Sequence, residues 1–261
     1  MPDQGSGKTI TTVERATEVL SLFTRVDEPT LGVTQIAQEL DLSKAVVHRL
    51  LTTLAGKGYV QFDAASRRYG LGPAVLGLGL TYLDHIDIRH LARFAMQELS
   101  AATNETSTLS IRSGWTRVYV DQITPPREVK MTVQLGRPFP LHAGSSSKAF
   151  LAFLTEKEQE EYLSQRSLES MTEATVTDVA RLRSELEKIR ERGYAVSYGE
   201  RQAGAASVAA PVFDHRGDPV ASLSVCGPVE RFAPHTEEAA ERLLASTEQL
   251  SAQLGHARRP A

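Results

Sequence analysis

Four short patterns in the sequence carry side chains able to do chemistry. Ser145-Ser146-Ser147-Lys148 fits Ser-x-x-Lys, in which an amine at helical spacing activates a serine hydroxyl for nucleophilic attack. The Ser-Asp-Asn and Lys-Thr-Gly elements that accompany it in penicillin-recognising enzymes are absent from the sequence, and neither His142 nor any carboxylate stands at a spacing that marks a base-orienting partner. The expectation is therefore a helix start and no enzyme; the alternative is a metabolite-binding serine hydrolase that uses Ser145 and Lys148 and keeps a vestigial helical domain. Gly7-Lys8-Thr9 imitates a phosphate loop, but Pro2 fills the first glycine position and no strand precedes it. Asn104-Glu105-Thr106 is a glycosylation sequon that matters only in an exported chain. Cys226, the sole cysteine, forms no internal disulfide, and the histidines and cysteine lack the paired spacings of a zinc site. No metal and no cofactor is expected.

A different chemistry, contact with phosphates and base edges, is written in the basic residues between Ser43 and Gly72. Lys44, Arg49, Lys57, Arg67 and Arg68 stand there against Asp63 alone. Ala45, His48, Arg49 and Thr52 recur at helical spacing opposite a stripe of Val46 or Val47, Leu50, Leu51 and Leu54, so one face packs and the other presents donors. Ser43 stands at the N-cap, where its hydroxyl and the neighbouring N–H groups suit a phosphate. The candidate DNA-contacting residues are Thr34, Ser43, Lys44, Ala45, His48 and Arg49 on the helices, with Arg67 and Arg68 on a hairpin that serves as a wing.

These residues need elements to hold them. Val13, Ala16, Leu20 and Phe23, widened by Val19, predict a first helix that Asp27-Glu28-Pro29 ends; Thr34 to Leu40 predicts a second, capped by Thr34. A third runs from Ser43 to Lys57, stopped by Gly58, and Tyr59–Phe62 with Arg67–Leu71 predict two short strands around a polar turn. Three helices and a hairpin make a winged helix-turn-helix, a fold for docking into the major groove. Residues 73–86 follow as an unusually apolar helix, with Val75, Leu76, Leu78, Leu80 and Leu83, too short for a bilayer. A helix this apolar needs cover, which predicts a homodimer and hence a pseudo-palindromic operator.

The remainder alternates between helices and strands. Helices are expected over 88–102, from Ser145 through Leu154, over 156–164, over 178–192 with Val179, Leu182, Leu186 and Ile189 on one face, and over 236–254. Strands are expected over 107–111, 117–123, 129–133, 194–198, 207–213 and 220–226, giving an α/β (α+β) domain with a central sheet. The loop His142–Lys148 enters a helix whose free N–H groups suit a carboxylate or other anion. The organisation read from the chain is a disordered tail at 1–12, the DNA-binding domain at 13–72, the linker at 73–86, an effector-binding domain at 87–255 and a second tail at 256–261.

With 261 residues, 41% hydrophobic and 23% charged, the chain is long enough for two cores, and its net charge of −3 excludes a uniformly basic nucleic-acid coat. The first twelve residues are polar and no apolar run reaches about 18 residues, so a soluble, cytoplasmic protein without membrane contact is expected.

The chain resembles the IclR family of transcriptional regulators over nearly its whole length. The likeness is carried by Val13-Glu14-Arg15-Ala16, Gln35-Ile36-Ala37, Ser43-Lys44 with His48-Arg49-Leu50-Leu51, Gly58-Tyr59-Val60, Pro140-Leu141-His142-Ala143, Lys148-Ala149, Arg192-Gly193-Tyr194-Ala195, Ala209-Ala210-Pro211-Val212 and Gly227-Pro228. The resemblance implies a winged helix-turn-helix, a linker helix and a GAF-like effector domain. It also implies a DNA-binding regulator, commonly a repressor, whose dimers often pair into tetramers and whose DNA affinity responds to a small organic-acid or aromatic metabolite. By the same resemblance the effector pocket is lined by Ser145, Ser146, Ser197, Ser207, Val208, Ser224 and Cys226. Two departures stand out: Ser147 where a glycine usually precedes the lysine, and Ser197 where some members place an acidic residue. A pocket rimmed by hydroxyls with few fixed charges is the expectation.

Overall fold

In a computed structural model, residues 10–26, 28–84 and 87–256 are described, and the chain divides into two units, 1–86 and 87–261. Most of the expected tails, 1–9 and 257–261, lie outside the described residues; Thr11 and Thr12 already belong to the first helix.

The first unit holds α1 (Thr11–Leu22), β1 (Thr30–Leu31), α2 (Val33–Glu39), α3 (Lys44–Gly56), β2 (Val60–Asp63), β3 (Arg68–Leu71) and α4 (Pro73–Asp84). Val19 and Leu22 of α1, Ile36 and Ala37 of α2, and Val47, Leu50, Leu51 and Leu54 of α3 form one core with Leu31, Val60 and Tyr69. Val13, expected on the packed stripe, is 57% exposed because it lies a full turn ahead of the residues that reach the core. The reversal between α2 and α3 uses Asp41 at φ 51° and a Leu42 N–H bond of 2.9 Å to the Ala37 carbonyl. Gly32, not Thr34, is the N-cap of α2; Thr34 lies inside its first turn and makes no cap. Ser43 does cap α3, accepting from the Val46 N–H at 3.3 Å. β1, too short to show in the sequence, pairs with β3 and completes an antiparallel sheet in the order β1-β3-β2. After β3, a Cβ at Gly72 would stand 2.2 Å from the Gly58 carbonyl oxygen, so the passage into α4 requires glycine. Leu76 and Leu78 of α4 are exposed, at 64% and 60%.

The second unit is a six-stranded antiparallel sheet in the order β6-β5-β4-β9-β8-β7, made of β4 (Thr106–Ser113), β5 (Thr116–Ile123), β6 (Pro138–Pro140), β7 (Ala195–Tyr198), β8 (Ala205–Phe213) and β9 (Pro219–Pro228). α5 (Ile88–Thr103) and α10 (Thr236–Gln253) cover one face, and α6 (Ser145–Phe153), backed by α8 (Val179–Arg192), covers the other. The short α7 (Glu156–Gln165) and α9 (Val229–Phe232) complete the connections. A closed core of Phe150, Leu151, Leu182, Leu186 and Ile189 fixes α6 against α8; Val179, at the open start of α8, stays 37% exposed.

The strand expected over 129–133 does not form. Prolines 125 and 126 remove two backbone donors just upstream, and side chains hold the segment instead. The Gln122 amide clasps Val133, donating to its carbonyl at 3.1 Å and accepting from its N–H at 2.9 Å, while Thr106 Oγ1 donates to the Met131 carbonyl at 2.6 Å. The third strand on that side is β6, paired to β5.

Candidate functional site

Two faces carry unassigned chemistry. On α3, Lys44, Ala45, His48, Arg49 and Thr52 are all exposed, opposite the buried stripe, and neither Lys44 nor Arg49 has an ion-pair partner among the described residues. The wing residues differ from one another. Arg67, at φ 55° in the turn, is exposed and unpaired among the described residues. The turn is fixed by Asp63, which accepts from the Ala65 N–H at 2.9 Å and the Ser66 hydroxyl at 2.6 Å; these bonds hold its carboxyl below the usual range. Arg68, placed on the wing by sequence, is instead turned inward. It pairs with Glu28 and donates to Gln35 Oε1 at 3.0 Å and to the Thr30 carbonyl at 2.6 Å, tying β3 to β1 and α2. Its side chain, 33% exposed, is thereby engaged by partners of its own domain.

The other face is a narrow cavity of about 20 Å³ in the second unit, between α6, the sheet and the 199–204 loop. Six of the seven residues implied by resemblance meet there: Ser145 and Ser146 from the start of α6, Ser197 from β7, Ser207 from β8, and Ser224 and Cys226 from β9. Val208 does not. It alternates with Ser207 along β8, and so its side chain is buried on the opposite sheet face. Gly144, at φ 89°, turns the chain into α6 so that the N–H groups of the first turn, without intrahelical acceptors, head the helix at the cavity. Hydroxyls pair at its wall: Ser145 of α6 with Ser207 of β8 at 2.7 Å, and Ser224 of β9 with Thr108 of the adjacent β4 at 2.6 Å.

Two guanidiniums missed in the sequence change the character of the cavity. Arg117 of β5 and Arg201 of the 199–204 loop both line it, and neither has a carboxylate partner among the described residues. Arg117 is 1% exposed; its Nε donates to Ser147 Oγ at 2.9 Å, and its Cζ lies 4.0 Å from the Tyr119 ring centre. Burial, followed by the neighbouring Tyr119, which opposes it, and the like charge of Arg201, leaves its proton less firmly held than usual. The expectation of few fixed charges is thus corrected. No sequence pattern announces a lone Arg117 in an alternating strand; the serine at 147 was the visible half of the contact.

The Ser-x-x-Lys pattern separates in three dimensions. Lys148 Nζ donates to Glu200 Oε1 at 2.5 Å and to Glu185 Oε2 at 2.8 Å, away from the cavity, while Glu200 also accepts from the Gly144 N–H at 3.2 Å. With Nζ committed to these two carboxylates, Lys148 makes no hydrogen bond to Ser145. His142 is fully buried with Nε2 donating to the Glu169 carbonyl at 3.0 Å and Nδ1 accepting from the Tyr162 hydroxyl at 3.0 Å, which commits both ring nitrogens elsewhere. Burial pushes the Cys226 thiol up to about 12, so it enters the cavity wall as a neutral group.

Comparison with known proteins bears on both units. Residues 12–64 match the model of the IclR helix-turn-helix domain, and residues 80–252 match that of the bacterial transcriptional regulator IclR C-terminal domain. The chain is 33% identical to the HTH-type transcriptional regulator KipR of Bacillus subtilis over 85% of its own length and 87% of that protein's. It is 27% identical to the transcriptional repressor IclR of Escherichia coli, over 84% and 82% of the two chains. The crystal structure of Pseudomonas aeruginosa HmgR superposes with a TM-score of 0.80 at 32% identity, covering 95% of this chain and 99% of that one.

Proposed function

This chain belongs to the IclR family of transcriptional regulators and is a ligand-responsive DNA-binding regulator, and on that premise we propose that it represses its target until a small organic anion enters the cavity beside Arg117. The observation that carries this reading is the pair of guanidiniums without a carboxylate partner among the described residues, lining a cavity with serine hydroxyls and a helix N-terminus. Both departures from the family pattern favour an anion. Ser147 accepts from Arg117 and orients it, and Ser197 leaves the cavity without the carboxylate that some members carry. The hydrolase reading is disfavoured, because Lys148 and His142 are engaged away from Ser145.

On the DNA side, the exposed face of α3 reads the major groove through His48 and Arg49, Ser43 and Lys44 meet the phosphates, and Arg67 supplies the wing contact. Thr34 and Arg68 are assigned to neither role. Leu76 and Leu78 are covered by the same helix of a second copy, which makes a cytoplasmic homodimer, able to pair further, on a pseudo-palindromic operator. Selecting bound duplexes from a random pool, followed by gel shifts across a salt series, tests this. An enriched palindrome with a steep salt slope is the expected result; no enrichment, or retention of the dimer by Leu76→Glu/Leu78→Glu, contradicts it.

A further inference from the structure

We infer that the effector is a short aliphatic carboxylate bearing hydroxyl groups, rather than an aromatic acid. The inference rests on the reading of the cavity as the effector site and adds what the rest of the molecule must be.

The aromatic rings beside the cavity are already occupied. Arg117 Cζ sits 4.0 Å from the Tyr119 ring centre and 5.0 Å from that of Phe139, and Arg201 Cζ sits 5.1 Å from Phe139 and 5.6 Å from Tyr119. Both rings are at most 5% exposed. A benzoate-type ligand needs apolar faces to sandwich it, and here guanidiniums hold those faces. Stacking would have to displace a charge that the same ligand's carboxylate requires.

The rest of the wall is made for ligand oxygens. In each hydroxyl pair, Ser145 with Ser207 at 2.7 Å and Thr108 with Ser224 at 2.6 Å, one O–H donates to the other, so one proton and several lone pairs stay free. Two such stations, Ser207 on β8 and Ser224 on β9 of the same sheet face, offer bonds to ligand hydroxyls beside a carboxylate held at Arg117. A ligand without them would desolvate the pairs and leave their remaining donors unmatched.

The test is calorimetric titration of the full-length protein with D-glycerate and D-gluconate against propionate, benzoate and 4-hydroxybenzoate. At least one hydroxy acid should bind tenfold or more tightly than propionate and both benzoates, because a site built to bond a hydroxyl rejects an analogue that lacks it. Ser224→Ala should weaken the hydroxy acid about tenfold and leave propionate unchanged, with Ser207→Ala as the equivalent variant on the other station should the first fail to fold. Benzoate binding as tightly as the hydroxy acids, and lost in Arg117→Met, overturns the ligand class while keeping the anion site. Failure of every acid to bind, or binding indifferent to Arg117→Met, overturns both.

Discussion

Arg117 and Lys148 are two cations of equal burial, 1% and 2% exposed, and the structure gives their removal opposite consequences. Lys148 is held between Glu200 and Glu185, whose side chains are 8% and 27% exposed. Lys148→Met leaves the buried Glu200 with only the Gly144 N–H as partner, while Glu185 keeps Arg181 at 3.5 Å, and breaking a buried pair from one side costs about 3–5 kcal/mol. At a urea dependence of about 2–3 kcal/mol per molar, the midpoint falls by roughly 1–2 M. Arg117→Met gives up the 2.9 Å bond to Ser147, about 1 kcal/mol, and stacking on Tyr119, up to about 2. Against these stands the release of a guanidinium desolvated without a counterion, a penalty of several kcal/mol. The unliganded variant should therefore unfold at the same urea concentration as the wild type or a higher one. Trp115, the sole tryptophan, lies in the second unit 5.9 Å from Tyr162 and reports on that unit alone by fluorescence. A midpoint for Arg117→Met as low as that of Lys148→Met would refute the reasoning, since it would mean that Arg117 is a structural ion and not one kept unpaired for a ligand.

On the DNA side, Arg49→Ala should lower affinity for the selected operator by about 1–3 kcal/mol, roughly 5- to 150-fold, while calorimetric binding of the effector is unchanged. Arg67→Ala should weaken all duplexes alike and reduce the salt slope by about one charge in gel shifts. Arg68→Ala should instead lower the melting temperature of the first unit and leave the slope of the folded fraction intact, because its partners are Glu28, Gln35 and Thr30. Cys226 should resist a thiol-reactive disulfide at mildly alkaline pH and react fully in concentrated urea. Its folded pKa of about 12 lies above the free value of 9.0, so any stability linked to it is complete below about pH 9 and is lost as pH rises toward 12.

Much of the first unit was legible because its signals are local. The leucine stripe of α3, the Ser43 cap and the glycine stop at Gly58 are each decided within one or two turns of chain. The inward turn of Arg68 was not legible, since Glu28 and Thr30 are brought to it only by β1, a strand of two residues. In the second unit the alternation of Ser222, Ser224 and Cys226 along β9 marks one face of a strand, but which face meets α6 is settled by sheet order. Val208, implied by resemblance beside Ser207, faces away because successive residues of a strand alternate. Arg117 was missed because an arginine in an alternating strand reads as solvent-facing; its burial comes from Ser147 and the rings of Tyr119 and Phe139, far off in sequence. The segment 129–133 has strand composition yet takes its hydrogen bonds from the side chains of Gln122 and Thr106, a pairing no local pattern records.

Coupling between cavity and DNA is tested most directly by measuring operator affinity by fluorescence anisotropy while D-glycerate or D-gluconate is titrated, in the wild type and in Arg117→Met. An anion that binds the two DNA-affinity states unequally should change the operator dissociation constant by about 5- to 150-fold in the wild type. Arg117→Met should bind the operator normally and show no such change. An equal response in the variant, or an effector that binds at Arg117 while operator affinity stays constant, would contradict the account.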